Sequence, residues 1–124
     1  MTKKILVVED EETILELIGE IFSNIGDYIV LIARDGEEAL RIAREDNPDI
    51  ILLDIQLPKI SGQELCKTMK SDPAMSHIKV LIISGGLQSS NLQKLQEGGA
   101  DAFINKPFNY SALVEKIEEL LRST

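Results

Sequence analysis

Short apolar runs alternate with stretches of helical periodicity along this chain, and this alternation most strongly limits how the chain can fold. Strands that alternate with helices are typical of repeated βα units and a parallel sheet. Four of the apolar runs end directly at polar or charged residues. These runs are residues 5–8 before Glu9 and Asp10, residues 50–53 before Asp54, residues 80–83 before Ser84, and residues 102–104 before Asn105 and Lys106. Because the carboxyl ends of parallel strands meet at one edge of the sheet, we expect these polar residues to share one pocket.

In the segments between these apolar runs, apolar residues recur at helical spacing and predict helices. A further strand is predicted at residues 28–33. The first helix is expected to begin with a capping box formed by Thr13 and Glu16, and Asp35 precedes the second helix. A shorter third helix follows residue 62, whereas the segment 85–99 presents only three leucines and should form the least stable helix. Asn109 is predicted to cap the last helix. The apolar stripe of that helix is Tyr110, Leu113, Val114, Ile117, Leu120 and Leu121.

The composition predicts one acidic globular domain over residues 1–124. Lys and Arg number 13 against 21 Asp and Glu, so the formal net charge of −8 disfavours binding to nucleic acid or to an anionic membrane. We therefore expect partners that are proteins. Cys66 is the only cysteine, which excludes an internal disulfide, and we expect it to be a small core residue. With no secretory signal and no apolar run near the ~18 residues of a membrane span, a cytoplasmic location is predicted.

The predicted pocket concentrates negative charge. Glu9, Asp10 and Asp54 bring three carboxylates to it, whereas Lys106 brings one positive charge. Two like charges ~4 Å apart cost about 4 kcal/mol at an effective dielectric constant of 20, so the cluster needs another cation or raised pKa values. Carboxylate oxygens favour a hard divalent ion, which predicts Mg²⁺ first and Mn²⁺ as a substitute.

The same residues suit phosphoryl transfer. Asp54 would be the nucleophile that attacks phosphorus and forms an aspartyl phosphate. Lys106 could neutralise charge on the phosphoryl oxygens, and Ser84 could donate a hydrogen bond to one of them. The sequence contains neither a P-loop nor a dinucleotide-binding motif, so we do not expect ATP to be the direct donor.

Each of these residues taken alone also has a purely structural interpretation. An acidic pair after a strand is often a solvated loop or a helix cap, and the lysine before Pro107 could be a surface charge. The coincidence of all of them at one predicted sheet edge favours the functional interpretation. His77, the only histidine, falls in a predicted loop without a nucleophile to activate, so we expect it to be exposed.

Taken together, these motifs resemble the receiver domain of two-component response regulators. The resemblance depends on the acidic pair, the segment 54–62 that begins at Asp54, the serine at position 84, and the segment 99–108 that contains Lys106 and Pro107. It implies a single doubly wound α/β domain whose five-stranded parallel sheet has the flavodoxin-like strand order 2-1-3-4-5, with helices on both faces.

The resemblance also implies how the acidic residues are used. Asp54 would accept a phosphoryl group from a phosphohistidine on a sensor histidine kinase or a histidine phosphotransfer protein. Asp10 and Asp54 would bind Mg²⁺ directly, and Glu9 would bind it through water. The backbone carbonyl of Gln56 would complete the protein ligands.

The remaining motif residues would supply the switch. Ser84 and Lys106 would contact the phosphoryl group, and Ser84 together with Phe103 would carry the conformational change. Phe103 lacks the hydroxyl of the tyrosine that is frequent at this position. The domain would catalyse only its own phosphorylation and dephosphorylation. It would pass the signal to a downstream protein or to an effector domain that this sequence does not contain.

Two other functions remain open. A phosphate-independent interaction module with the same fold predicts a damaged pocket, whereas every expected group is present here. A phosphohydrolase that works through an aspartyl phosphate would need a second aspartate two residues after the nucleophile, where this chain has Gln56.

Overall fold

Five parallel strands form one sheet in the computed structural model, which describes residues 2–54, 62–84, 93, 96–105 and 108–122. The strands are β1 (Lys3–Val8), β2 (Tyr28–Ala33), β3 (Ile50–Asp54), β4 (Lys79–Ser84) and β5 (Ala102–Asn105). Their order across the sheet is β2-β1-β3-β4-β5, and every neighbouring pair is parallel. The predicted α/β class and the order 2-1-3-4-5 are therefore confirmed.

Within the described residues, four helices cover the two faces of this sheet. They are α1 (Glu12–Ser23), α2 (Gly36–Asp46), α3 (Gly62–Ser71) and α4 (Tyr110–Arg122). Most of the segment predicted as a weak helix lies outside the described residues, although Gln93, Gln96 and Glu97 have helical backbone. In the described part of the chain, no helix has the length and apolar content needed to cross a membrane.

The alternation of side chains along the strands builds two separate cores. Leu6, Leu53 and Ile82 belong to the core that the sheet shares with α2 and α3. Their neighbours Val7 and Leu52 belong to the core shared with α1 and α4. All five residues of β3 are buried, because a central parallel strand with helices on both sides has no solvent-facing side. This burial explains why β3 is a continuous apolar run that ends abruptly at a carboxylate.

Local side-chain hydrogen bonds begin two of the helices. The Glu38 amide donates to the Asp35 carboxylate over 2.9 Å, and the Ala112 amide donates to the Asn109 side-chain oxygen over 2.7 Å. Each bond satisfies an amide that the first turn of a helix leaves without an intrahelical acceptor. The predicted cap at Asn109 is confirmed, and Asp35, which was predicted only to precede the second helix, also caps it.

The start of α1 and the stripe of α4 differ from prediction. Thr13 lies inside α1, whose N-cap residue Glu11 makes no side-chain capping bond, so the predicted capping box is wrong. The helix instead begins where the Leu15 amide donates to the Glu11 carbonyl and where the Leu15 side chain becomes buried. Tyr110 is 50% exposed, because it is the first residue of α4 and precedes the first fully buried position, Leu113.

Candidate functional site at the strand ends

The strand register brings the predicted site residues to one edge of the sheet. Val8 is level with Leu53 in the β1–β3 pair, so Glu9 follows at the level of Asp54. Asp54 is in turn level with Ile83 of β4, one residue before Ser84. Since neighbouring strands are ~4.8 Å apart, the backbone at these three strand ends lies within two strand spacings.

The edge is continued by β5. Ser84 is level with Asn105, the last residue of that strand, which places the backbone of both at the same end of the sheet. The side chain of Ser84 and the whole of Gln56, Lys106 and Pro107 lie outside what the structure describes. Their predicted roles therefore stay predictions.

Two carboxylates at this edge are buried. Glu9 is 4% exposed and Asp54 is 8% exposed, and both continue the side of the sheet that carries Val7 and Leu52. A buried carboxylate is costly unless a cation or hydrogen-bond donors compensate it. Asp10, by contrast, is exposed at the start of the β1–α1 loop. The structure therefore separates the acidic pair into an inward-facing and a solvent-accessible member.

The acidic segment 9–12 is attached to the end of β2. The Glu9 amide donates to the Ala33 carbonyl over 3.0 Å. Arg34 Nη1 donates to Glu12 Oε2 over 2.6 Å, forming an ion pair at the start of α1. The hydrogen bond and the positive charge of Arg34 lower the pKa of Glu12 from its ordinary value. Sequence reasoning missed this pair because its members are 22 residues apart.

The donor chemistry at the edge fits a hard cation. Glu9, Asp10 and Asp54 offer oxygen atoms only, which Mg²⁺ prefers over nitrogen or sulfur. Within the described ranges, no three carboxylate, histidine or cysteine side chains come close enough together to hold a metal ion by themselves. A metal at this edge would therefore also need backbone or solvent oxygens, as Mg²⁺ commonly does.

The predicted switch residue lies next to the same end of the sheet. Phe103 is level with Ile82 and packs, half-buried, against the core on the α2 and α3 side.

The strand β5, which carries Phe103, is anchored just before its start. Lys70 Nζ donates to the Ile78 carbonyl over 2.8 Å and to Asp101 Oδ2 over 3.1 Å, and the same carboxylate oxygen accepts from the Val80 amide over 2.8 Å.

Two other side chains that can take part in chemistry, Cys66 and His77, do not belong to this edge of the sheet. Cys66 is fully buried in the α2 and α3 core, as predicted, and burial raises the pKa of its thiol to about 11. His77 is exposed, as predicted. A groove of about 540 Å³ between α1 and α4 has a mostly apolar wall and contains neither histidine nor cysteine. The strand-end edge is thus the best candidate for phosphoryl chemistry.

Comparison with known proteins settles the family. The family model for the response regulator receiver domain matches residues 5–118. This chain belongs to the response regulator receiver family. The polar-differentiation response regulator DivK of Brucella ovis is 37% identical to it over 121 residues, which are 98% of each chain. The match therefore extends over nearly the whole of both sequences.

Solved structures support the same assignment. The phosphorylated cyanobacterial phytochrome response regulator RcpA is 34% identical to this receiver, with a TM-score of 0.85 over 99% of this chain and 96% of that one. The receiver domain of the sensor histidine kinase PA1611 from Pseudomonas aeruginosa PAO1, which was solved with magnesium in its active-site cleft, shares the fold. Its TM-score is 0.89 at 22% identity, over 99% of this chain and all of that one.

Proposed function

We propose that residues 1–124 form one receiver domain that acts as a phosphorylation-dependent signalling switch with Asp54 as its phosphoryl acceptor. The observation that carries this proposal is the position of Asp54. It is a buried carboxylate at the end of the central strand, one residue past the level of Val8 at the end of β1 and level with Ile83, one residue before the end of β4. This edge is where the strands of an open α/β sheet converge on a ligand.

Magnesium is the cofactor that these residues suit. Asp10 and Asp54 would bind Mg²⁺ directly, Glu9 would bind it through water, and the Gln56 carbonyl would contribute another oxygen. Mn²⁺ would substitute, since it accepts the same oxygen ligands. The bound ion would neutralise charge on the carboxylates and on phosphoryl oxygens.

The chain's own residues account for the transfer. A carboxylate oxygen of Asp54 attacks the phosphorus of a phosphohistidine on the partner protein. The new P–O bond forms as the P–N bond breaks, and the electron pair of that bond returns to the imidazole. Lys106 and Ser84 would hold the phosphoryl oxygens as charge on them changes. The only covalent chemistry is the phosphorylation and dephosphorylation of the domain itself.

The proposed partners are proteins in the cytoplasm. The donor would be a sensor histidine kinase or a histidine phosphotransfer protein, and the recipient a downstream protein or an effector domain. The net charge of −8 supports this choice because it disfavours nucleic acid and anionic membranes. The lone, buried Cys66 also suits a reducing compartment.

The switch would be carried by Ser84 and Phe103. Contact between Ser84 and the phosphoryl group would leave space for Phe103 to move inward, which would shift an existing equilibrium in the surface formed by segment 85–99, β5 and α4. The half-buried state of Phe103 supports this idea, because part of the side chain is exposed and would become buried if the ring moved inward. Amide chemical shifts of residues 87–103 should change on phosphorylation, and unchanged shifts would contradict the relay.

The decisive experiment is intact-mass measurement after incubation with acetyl phosphate, with and without Mg²⁺. We expect a metal-dependent gain of one phosphoryl group that Asp54→Asn abolishes. Asp46→Asn makes the same chemical change at an exposed position at the end of α2, and it should be phosphorylated like the wild type. A wild-type chain that neither gains mass nor binds Mg²⁺ would instead support the phosphate-independent interaction module.

A further inference from the structure

The loop between β1 and α1 is attached to the end of β2 at both of its ends. The Glu9 amide donates to the Ala33 carbonyl over 3.0 Å, and Glu12 Oε2 accepts from Arg34 Nη1 over 2.6 Å. Ala33, the last residue of β2, and Arg34, the residue after it, therefore contact the first and last residues of segment 9–12. Asp10 lies between the two attachment points.

The first turn of α1 is anchored from the core side by the buried Leu15, and on the solvent side the Arg34–Glu12 pair holds its first residue. Its N-cap residue, Glu11, makes no side-chain capping hydrogen bond. Glu12 and Arg34 are 62% and 51% exposed, so the pair restrains the loop without burying it. A guanidinium suits this task better than an ammonium group, because its planar set of donors matches a carboxylate in a defined orientation.

We propose that Arg34 is a positioning residue for the metal site: by holding Glu12 it keeps the intervening Asp10 in place to bind Mg²⁺. The inference rests on the proposed function, in which Asp10 is a direct ligand. Arg34 does not touch the metal or the phosphoryl group in this proposal. It acts through the loop, as the partners of metal ligands do in many sites.

If Arg34 affected the metal site only through its positive charge, its removal would change the affinity for Mg²⁺ in the opposite direction to that expected from a positioning role. Removing a nearby cation would then strengthen Mg²⁺ binding, whereas removing the negative charge of Glu12 would weaken it. A positioning role predicts that both changes weaken binding. The two explanations thus give opposite signs for the arginine variant alone.

The test is an amide NMR titration with Mg²⁺ of the whole chain and its variants. We expect Arg34→Gln and Glu12→Gln each to raise the Kd for Mg²⁺ by about 2- to 5-fold, which is less than the ~10- to 100-fold typical of groups that contact metal ligands, because this pair is exposed. The double variant should bind Mg²⁺ no more weakly than the weaker-binding of the two single variants, because both substitutions remove the same interaction. Arg34→Lys, which keeps the positive charge but not the planar set of donors, should recover only part of the affinity.

A matched control is available on α2. Arg41 and Glu45 form an ion pair of 3.1 Å with exposures of 58% and 61%. Arg41→Gln makes the same charge change in a similar environment and should leave the Kd for Mg²⁺ unchanged. Urea unfolding without metal should not distinguish Arg34→Gln from Arg41→Gln.

The possible failures are distinguishable. If wild-type protein binds Mg²⁺ and Arg34→Gln binds it equally or more tightly, the positioning role is wrong and the metal site stands. If the losses of Mg²⁺ affinity in the two single variants add up in the double variant, the proposed positioning through the Arg34–Glu12 pair is also wrong. If wild-type protein binds no Mg²⁺, the metal part of the proposed function fails, and the positioning role fails with it.

Discussion

Replacing Gly99 by alanine should destabilise the domain through a specific collision with Lys70. Gly99 has φ +103°, a conformation that residues with side chains rarely adopt, and a Cβ atom there would overlap Lys70 Cγ. The stem of Lys70 cannot retreat easily, because its Nζ donates to the Ile78 carbonyl and to Asp101. The substitution therefore perturbs the contact that anchors the start of β5.

Two other glycines separate the contributions to this effect. Gly26 also has a positive φ, +127°, but a Cβ atom there would have no neighbour within 4 Å. Gly26→Ala should therefore cost only the backbone strain, about 1–3 kcal/mol. Gly99→Ala should cost that strain plus about 1.5–3 kcal/mol for the displaced, charge-assisted hydrogen bonds of Lys70. Gly19 lies inside α1 with open space around it, so Gly19→Ala should stabilise the domain by up to about 1 kcal/mol.

Urea unfolding followed by far-ultraviolet circular dichroism measures these differences. From most to least stable, the expected order is Gly19→Ala, wild type, Gly26→Ala and Gly99→Ala. The free energy of unfolding should depend on urea concentration with a similar slope in all four proteins. A Gly99→Ala variant within about 0.5 kcal/mol of Gly26→Ala would refute the argument, because the Lys70 contact would then contribute nothing beyond backbone strain.

The cap at the start of α4 and the buried thiol of Cys66 can each be tested by one substitution or one labelling experiment. Asn109→Ala should destabilise the domain by about 1 kcal/mol because it removes the 2.7 Å cap of α4, whereas Asn109→Asp, which keeps an acceptor, should unfold like the wild type; equal losses for both would exclude capping. Cys66 should resist iodoacetamide at pH 8 until urea unfolds the chain, because its buried thiol has a pKa raised to about 11. Since the pKa is raised on folding, its contribution to stability is present below the unfolded value of 9.0 and is lost as the pH rises through about 11. Rapid alkylation of the folded protein would contradict this burial.

Local sequence signals predicted most of the fold. Apolar runs predicted the strands, and the side chain of Asn109 predicted the cap of the last helix, because both signals act over a few residues. The capping box at Thr13 failed because a tertiary constraint, the burial of Leu15, determines where α1 begins. Tyr110 likewise has the right spacing for the stripe of α4 but is half exposed at the helix end.

The candidate site was predicted as a set of residues, and its geometry was not. The order of apolar runs and the residues that end them identified Glu9, Asp10 and Asp54 as one group, and charge alone indicated a cation. Sequence reasoning could not predict that Glu9 and Asp54 are buried while Asp10 is exposed. That distinction arises from how the β1–α1 loop leaves the sheet.

The amino-acid sequence by itself determined the strand and helix pattern, the acidic charge and the chemical groups available at the strand ends. Only the tertiary structure decided the register that places Glu9 level with Asp54, the Arg34–Glu12 pair and the Lys70–Asp101 contact. The reason is physical. Periodicity and capping depend on neighbours along the chain, whereas register and ion pairs between residues 22 or 31 positions apart depend on how the two cores pack on the sheet.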